Sequence, residues 1–191
     1  MNYKSVYGDL FNTEKYSRHN ESEFRYQLVL DYLRNNEVET MVDISSGRGV
    51  MLKMIKKEFP NIKIISTDLK KFHGVEVDEF YEVDLSKKET LFSVDKEYDL
   101  LTCLDVLEHL DKSFISSVFK WFSEISKNQI LTIANHSEIQ NGIEIHTIQE
   151  DMGYWSPIVD EFLKIKNEDS KTFIHMGKPH YLYILKTEQN K

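Results

Sequence analysis

Short β-favouring runs alternate with helical segments through the middle of this chain, and that alternation confines it to a βαβ architecture. Apolar, often β-branched runs fall at 40–44, 62–67, 80–83, 98–104 and 129–134. Between the first two, Met51, Leu52, Met54, Ile55 and Phe59 recur at helical spacing and the pattern stops before Pro60. Between the last two, Val118, Phe119, Phe122 and Ile125 share one helical face. Strands joined this way form a mostly parallel sheet with helices on both faces. Residues 21–35 read as a preceding amphipathic helix with Ser22 at its start, and 155–165 as a later helix. The alternating runs 171–176 and 181–186, joined by Gly177-Lys178-Pro179-His180, read as an antiparallel hairpin. The expected fold is α/β: a doubly wound, mostly parallel seven-stranded sheet closed by a C-terminal antiparallel hairpin.

At 191 residues this is one domain. We divide it into an N-terminal helical lid or cap (1–35), a central half that holds a ligand (36–134), and a substrate loop, helix and closing hairpin (135–191). The Tyr-rich head puts Tyr3, Tyr7 and Phe11 on one helical face. It is expected to fold over the site as a lid. Against 32 acidic residues stand 24 Lys and Arg, a net charge of −8. That balance disfavours a nucleic-acid partner, whose backbone needs clustered cations. The longest apolar stretch, 100–104, is far below the roughly 20 residues that span a bilayer. The head lacks the apolar core of a signal peptide. Cys103 is alone, so no internal disulfide forms, which fits a reducing cytoplasm, and one cysteine is too few for a structural zinc site.

The sharpest local signal is Val42-Asp43-Ile44-Ser45-Ser46-Gly47-Arg48-Gly49, a small-residue turn between a strand and a helix. Ligands of open α/β sheets bind at the carboxyl ends of the strands. A glycine-rich turn there lets backbone approach closely, and the helix start offers unpaired N–H groups. Asp68 ends the second strand and can accept from both ribose hydroxyls of a nucleoside. Asp84 ends the third, placed to hold an adenine amino group, and Asp43 can receive an ammonium. A simple structural turn would need none of these acids.

With those residues in view, the sequence resembles the class I S-adenosylmethionine-dependent methyltransferases, in their small-molecule branch. Their D-x-G-x-G-x-G motif is matched by Asp43-Ile44-Ser45-Ser46-Gly47-Arg48-Gly49, with Ser45 in place of the first glycine. The most specific match is Leu104-Asp105-Val106-Leu107-Glu108-His109-Leu110, similar to the fourth-strand segment of that branch. The resemblance implies a Rossmann-like fold, methyltransferase activity and S-adenosylmethionine as cofactor. It also implies cofactor contacts at Asp43, Ser45, Gly47, Gly49, Asp68, Leu69, Asp84, Leu85, Leu104 and Asp105. A nicotinamide dinucleotide fits worse, because Asp43 would repel its pyrophosphate and no tyrosine has a lysine four positions later.

An acceptor pocket belongs at the ends of the fourth and fifth strands. A histidine near neutral pKa suits a hydroxyl acceptor as general base. His136, close behind the fifth strand, is the first candidate and His146, deep in a long connection, the second. His109, Asn135, Tyr154 and Trp155 are candidate substrate contacts, the two aromatics as a wall for a sugar ring. Asp105, Asn135, His136 and Glu150 are available metal-ligand types, but no compact spacing such as H-x-x-x-H is present, so no metal is expected. The reading is a methyltransferase on a small hydroxylated acceptor, a sugar or glycan unit of polysaccharide or metabolite biosynthesis. The alternatives are N-methylation of a small amine and a non-catalytic module that only binds the cofactor.

Overall fold

The computed structural model describes residues 23–71, 74–126, 128–163, 166–175 and 177–186. The proposed Ser22 cap, the head expected to act as a lid and the polar tail lie outside those residues. Helix α1 spans Phe24–Asn35, followed by β1 (Thr40–Ile44), α2 (Val50–Glu58), β2 (Lys63–Asp68) and β3 (Glu79–Glu82). Then come β4 (Leu100–Leu104), α3 (Lys112–Ile125) and β5 (Asn128–Ala134). Two short strands, β6 (Ile139–Gln140) and β7 (Ile143–Glu144), precede α4 (Met152–Leu163), β8 (Lys166–His175) and β9 (Lys178–Lys186).

Seven strands form one sheet in the order β3-β2-β1-β4-β5-β9-β8. The first five pair in parallel, while β9 pairs antiparallel with both β5 and β8. Strand order reverses between β1 and β4, so the crevice above their carboxyl ends is the switch point where ligands bind in such sheets. Alternate residues of each central strand feed two buried clusters. Val42, Leu101, Leu131 and Tyr183 pack with Phe119 and Phe122 of α3 and Val159 of α4. Met41, Leu100, Ile130 and Leu182 pack with Val29 and Leu33 of α1 and Leu52 and Ile55 of α2. Burial on both faces explains the continuous rather than alternating hydrophobicity of these strands. Among the described residues no helix is long and apolar enough to cross a membrane.

Some boundaries differ from the sequence reading, for local reasons. The fourth strand begins at Leu100, although Asp99 before it already bonds β1: its N–H donates to the Thr40 carbonyl at 3.0 Å, and its carboxylate accepts the N–H of Thr40, at 3.0 Å, and its hydroxyl, at 2.9 Å. Helix α4 begins at Met152, three residues before Trp155, because the Asp151 side chain accepts the N–H of Gly153 at 2.8 Å. The long connection after β5 is not plain loop. Asn141 and Gly142 both adopt positive φ, 51° and 77°, and turn β6 into β7. Asn-Gly is the favoured pair for that hairpin turn, since both central residues need φ > 0.

Candidate active site

The turn after β1 is clipped to the end of β2. Ser46 donates its N–H to the Thr67 carbonyl at 2.9 Å, and its hydroxyl lies 2.7 Å from that of Ser66. Three residues of the turn take left-handed backbone: Ser45 at φ 57°, Gly47 at 54° and Gly49 at 68°. The glycines adopt it without cost, whereas Ser45 pays the steric penalty of its Cβ. Asp105, which follows β4, also has positive φ, 52°. Two of the three non-glycine residues with positive φ among those described, Ser45 and Asp105, thus flank the switch point, where backbone strain collects at functional sites.

Above these ends lies a cleft of about 1150 Å³, its open mouth included. All ten residues assigned to the cofactor from the sequence line it: Asp43, Ser45, Gly47, Gly49, Asp68, Leu69, Asp84, Leu85, Leu104 and Asp105. His109 lines it as well. Arg25 and Tyr26 of α1 line it too, and sequence reasoning missed both. Arg25 pairs with Asp105 and, at 3.2 Å, with Glu23. An arginine on a helix that precedes the whole sheet carries no sequence signal for this pairing, 80 residues away.

The carboxylates sit in different environments. Asp43 is buried and accepts from the Thr102 hydroxyl at 2.6 Å. Burial, with the nearby charge of Asp68, pushes its carboxyl up to about 7. Asp68 accepts the N–H groups of Gly47 at 2.8 Å and Leu69 at 2.7 Å, and burial still raises it to about 6. At Asp84 burial is outweighed by bonds from Ser86 and Lys87, which hold it below its ordinary value. At Asp105 burial is likewise outweighed, first by Arg25 and then by His180.

Behind the cleft, five histidines form a chain of ring contacts. Centroids lie 4.6 Å apart for His109 and His146 and 4.6 Å for His146 and His136. The separation is 5.4 Å for His136 and His180 and 5.4 Å for His180 and His175. His109 holds the Ile145 carbonyl with Nδ1 at 2.9 Å. Burial and His146 drive it down to about 4, so it is neutral at physiological pH. Its neighbour Glu108 is fully buried, with Oε1 accepting from the Ala134 N–H at 3.2 Å and Oε2 without a hydrogen-bond partner among the described residues.

Four residues assigned to the acceptor or to catalysis are placed differently from the expectation, and one lies where chain order did not show it. Trp155 is buried in the core cluster with Val159 and cannot face a sugar, because its side of α4 packs against the sheet. Tyr154 lies outside the cleft lining, with the Lys112 ammonium 4.9 Å from its ring centre. Asn135 bonds the Tyr181 hydroxyl with its side chain and the Pro179 carbonyl with its N–H, so it fastens β5 to β9. His136 is half-buried and outside the cleft lining. His146 was expected to be the loosely held histidine. It is 4% exposed and bonds the His136 carbonyl at 2.7 Å, so it is the better fixed of the two.

No family model matches the chain, and no curated protein matches it. Solved structures do match. The magnesium protoporphyrin IX methyltransferase of Synechocystis, with bound S-adenosylhomocysteine, aligns over 97% of this chain and 99% of its own, with a TM-score of 0.68 at 13% identity. An S-adenosylmethionine-dependent methyltransferase from Clostridium acetobutylicum aligns over 98% and 100%, at 0.64 and 13%. The N-methyltransferase NodS of Bradyrhizobium japonicum, also with S-adenosylhomocysteine, aligns over 98% and 98%, at 0.64 and 13%. The chain has the Rossmann-like fold of these class I S-adenosylmethionine-dependent methyltransferases, as its motifs imply.

Proposed function

We propose that this protein binds S-adenosylmethionine in the cleft and transfers its methyl group to a small hydroxylated acceptor, a sugar or glycan unit among the candidates. The carrying observation is that Asp43, Asp68 and Asp84, from the ends of three successive parallel strands, converge on one cleft with the 45–49 turn. The residues fit that cofactor. Each Asp68 oxygen accepts one backbone N–H and retains a second acceptor position for a ribose hydroxyl. Asp43, beside another carboxylate, favours a cationic group and repels a pyrophosphate. Asp84 stands at the far end for the adenine amino group.

The bound cofactor would supply a methyl group already electrophilic on a sulfonium. What remains for the protein is alignment, exclusion of water and removal of the acceptor's proton. The acceptor side of the cleft is formed by Val106, His109 and Leu110, beside the ion pair of Arg25 with Asp105. Among the described residues, His109 is the histidine that meets the cleft. With Nδ1 donating to Ile145, its Nε2 carries the lone pair, the form that accepts a hydroxyl proton. We therefore assign the base to His109 rather than to His136 or His146; held at about 4, it is too weak to ionise the free hydroxyl, and it takes the proton as the new C–O bond forms and makes that hydroxyl strongly acidic.

Calorimetry with S-adenosylhomocysteine and transfer of a labelled methyl group to a panel of small hydroxylated acceptors test this reading. Binding of the cofactor product together with labelling of one acceptor class is the expected result. Absence of binding overturns it. Binding without transfer to any hydroxyl or amine acceptor would leave a module that only holds the cofactor.

A further inference from the structure

We infer that His136, Glu138 and His146 form a binding site for a divalent transition-metal ion of the zinc type, outside the cofactor cleft. One ligand atom from each of the three lies within 4.8 Å of the others. The set is two imidazoles and a carboxylate, donors that suit zinc and its first-row neighbours rather than magnesium or calcium. Neither His136, Glu138 nor His146 lines the cleft, so the site is separate from the one that takes the cofactor.

The hydrogen bonds around the three residues prepare them for ligation. Nδ1 of His146 lies 2.7 Å from the His136 carbonyl, and Nδ1 of His136 lies 3.1 Å from the Ser137 carbonyl. A carbonyl oxygen only accepts, so in both rings Nδ1 carries the hydrogen and Nε2 carries a lone pair. Metal-binding histidines are oriented in this way, one nitrogen donating to a carbonyl while the other ligates. Glu138 receives the Gln140 amide on Oε1 at 2.7 Å, which aims Oε2 towards His146. Oε2 lies 3.7 Å from His146 Nε2, too far for a hydrogen bond. Two lone-pair atoms at that spacing match ligands about 2.0–2.1 Å from one tetrahedral ion, which stand roughly 3.4 Å apart.

A second carboxylate fixes the ligands from behind. Glu144 Oε1 accepts the N–H of Glu138 at 2.8 Å and that of His146 at 3.0 Å, and its other oxygen accepts the Ser137 hydroxyl. The small hairpin Ile139–Gln140 and Ile143–Glu144 is the device that returns the chain so that residues 138 and 146 meet. His136 and Glu138 are only half-buried, which leaves a side for a hydrated ion to arrive and a position for water or an oxygen ligand. His146 also lies near Glu108 and His109, but in that set both Glu108 and His146 are buried, whereas His136 and Glu138 are half-buried.

The test uses the full chain stripped with a chelator, without cofactor or acceptor, so its outcome is independent of methyl transfer. Titration with Zn²⁺ by calorimetry is expected to show one site. Titration with Co²⁺ is expected to give the strong visible absorption of low-symmetry coordination. Glu138→Gln and His136→Ala, both at half-buried positions, are expected to weaken Zn²⁺ binding at least tenfold and to abolish the Co²⁺ bands. Their far-ultraviolet dichroism and S-adenosylhomocysteine affinity should stay as in the wild type. Absence of Zn²⁺ binding in the wild type overturns the inference, as does equal affinity in both variants. Loss of binding in Glu108→Gln with retention in Glu138→Gln also overturns it, by moving the ion to the buried side of His146.

Discussion

The cleft above β1 to β4 draws its polar groups from the ends of one strand after another. The histidine cluster behind it draws on five separate places: after β4, after β5, after β7, and from β8 and β9. In the cleft each carboxylate is positioned by its own strand, and parallel register aligns the strand ends. In the cluster the two buried-side rings are held by distant carbonyls, His109 by Ile145 and His146 by His136, while His136 and His180 bond carbonyls one and two residues away. Polar chemistry built on rigid sheet edges follows from local order, whereas the second kind needs the hairpin, β9 and the β4 exit to dock together first.

The largest expected effect lies at the junction of the two regions. His109→Ala should lower turnover about 10²–10⁴-fold, the usual loss for a general base, while cofactor affinity stays near wild type. Single-turnover kinetics alongside calorimetry would check it. An equal loss in both quantities would place His109 in the cofactor site instead. Next comes Asp68→Ala. Loss of two hydrogen bonds to ribose, of order 1–3 kcal/mol together, weakens cofactor binding by roughly 5–150-fold. Zn²⁺ affinity should not change, since the two regions share no ligand, and a joint loss would break the contrast between them.

A third effect is opposite in sign for folding and for binding. The folded state raises Asp43 to about 7 and Asp68 to about 6. The native state therefore keeps protons that the unfolded chain releases from pH 4 upwards. The stability linked to these two groups is fully present below pH 4 and is lost as pH rises through 6 and 7. Cofactor binding needs the ionised carboxylates, so affinity should climb over the same interval. At pH 6 about a tenth of Asp43 is ionised, which corresponds to roughly tenfold weaker binding than at pH 8. Calorimetry from pH 5.5 to 8.5 checks this, and flat affinity would show that Asp43 is not used in its charged form.

The smallest effect is at the hairpin turn. Gly142 has φ 77° with open space where a Cβ would go, so Gly142→Ala meets only backbone strain, about 1–2 kcal/mol. Thermal unfolding should show a modest loss of stability, with Zn²⁺ affinity falling and S-adenosylhomocysteine affinity unchanged. A fall in both would mean that the hairpin supports the whole sheet rather than its own corner.

Legibility in the sequence divides along the same line. Ser45, Gly47, Gly49, Asp68 and Asp84 were readable because their positions relative to strand and helix ends define their directions. His109 was readable as a candidate because it follows β4 by only a few residues. The exchange of roles among the histidines was not. His136 follows the long strand β5 by two residues and His146 follows only the two-residue β7, yet His146 is the better anchored, because Glu144 and the His136 carbonyl hold it. One signal was available and unread: Asn141-Gly142 between Ile139 and Ile143 marks a hairpin. It would have brought Glu138 and Glu144 beside His146.

The order of apolar runs and helical spacings determined the α/β class, and the turn at 45–49 with its strand-end acids determined where the cleft lies. Those features depend on periods of two and 3.6 residues and on neighbours a few positions apart, which a sequence displays directly. Only the tertiary structure decided that Trp155 belongs to the core and that Arg25 pairs with Asp105 beside the cleft. Only it decided that His136, Glu138 and His146 face one another. Each of those pairings depends on how whole elements dock, and docking is decided by the burial of two helical layers on a twisted sheet, which no local spacing encodes.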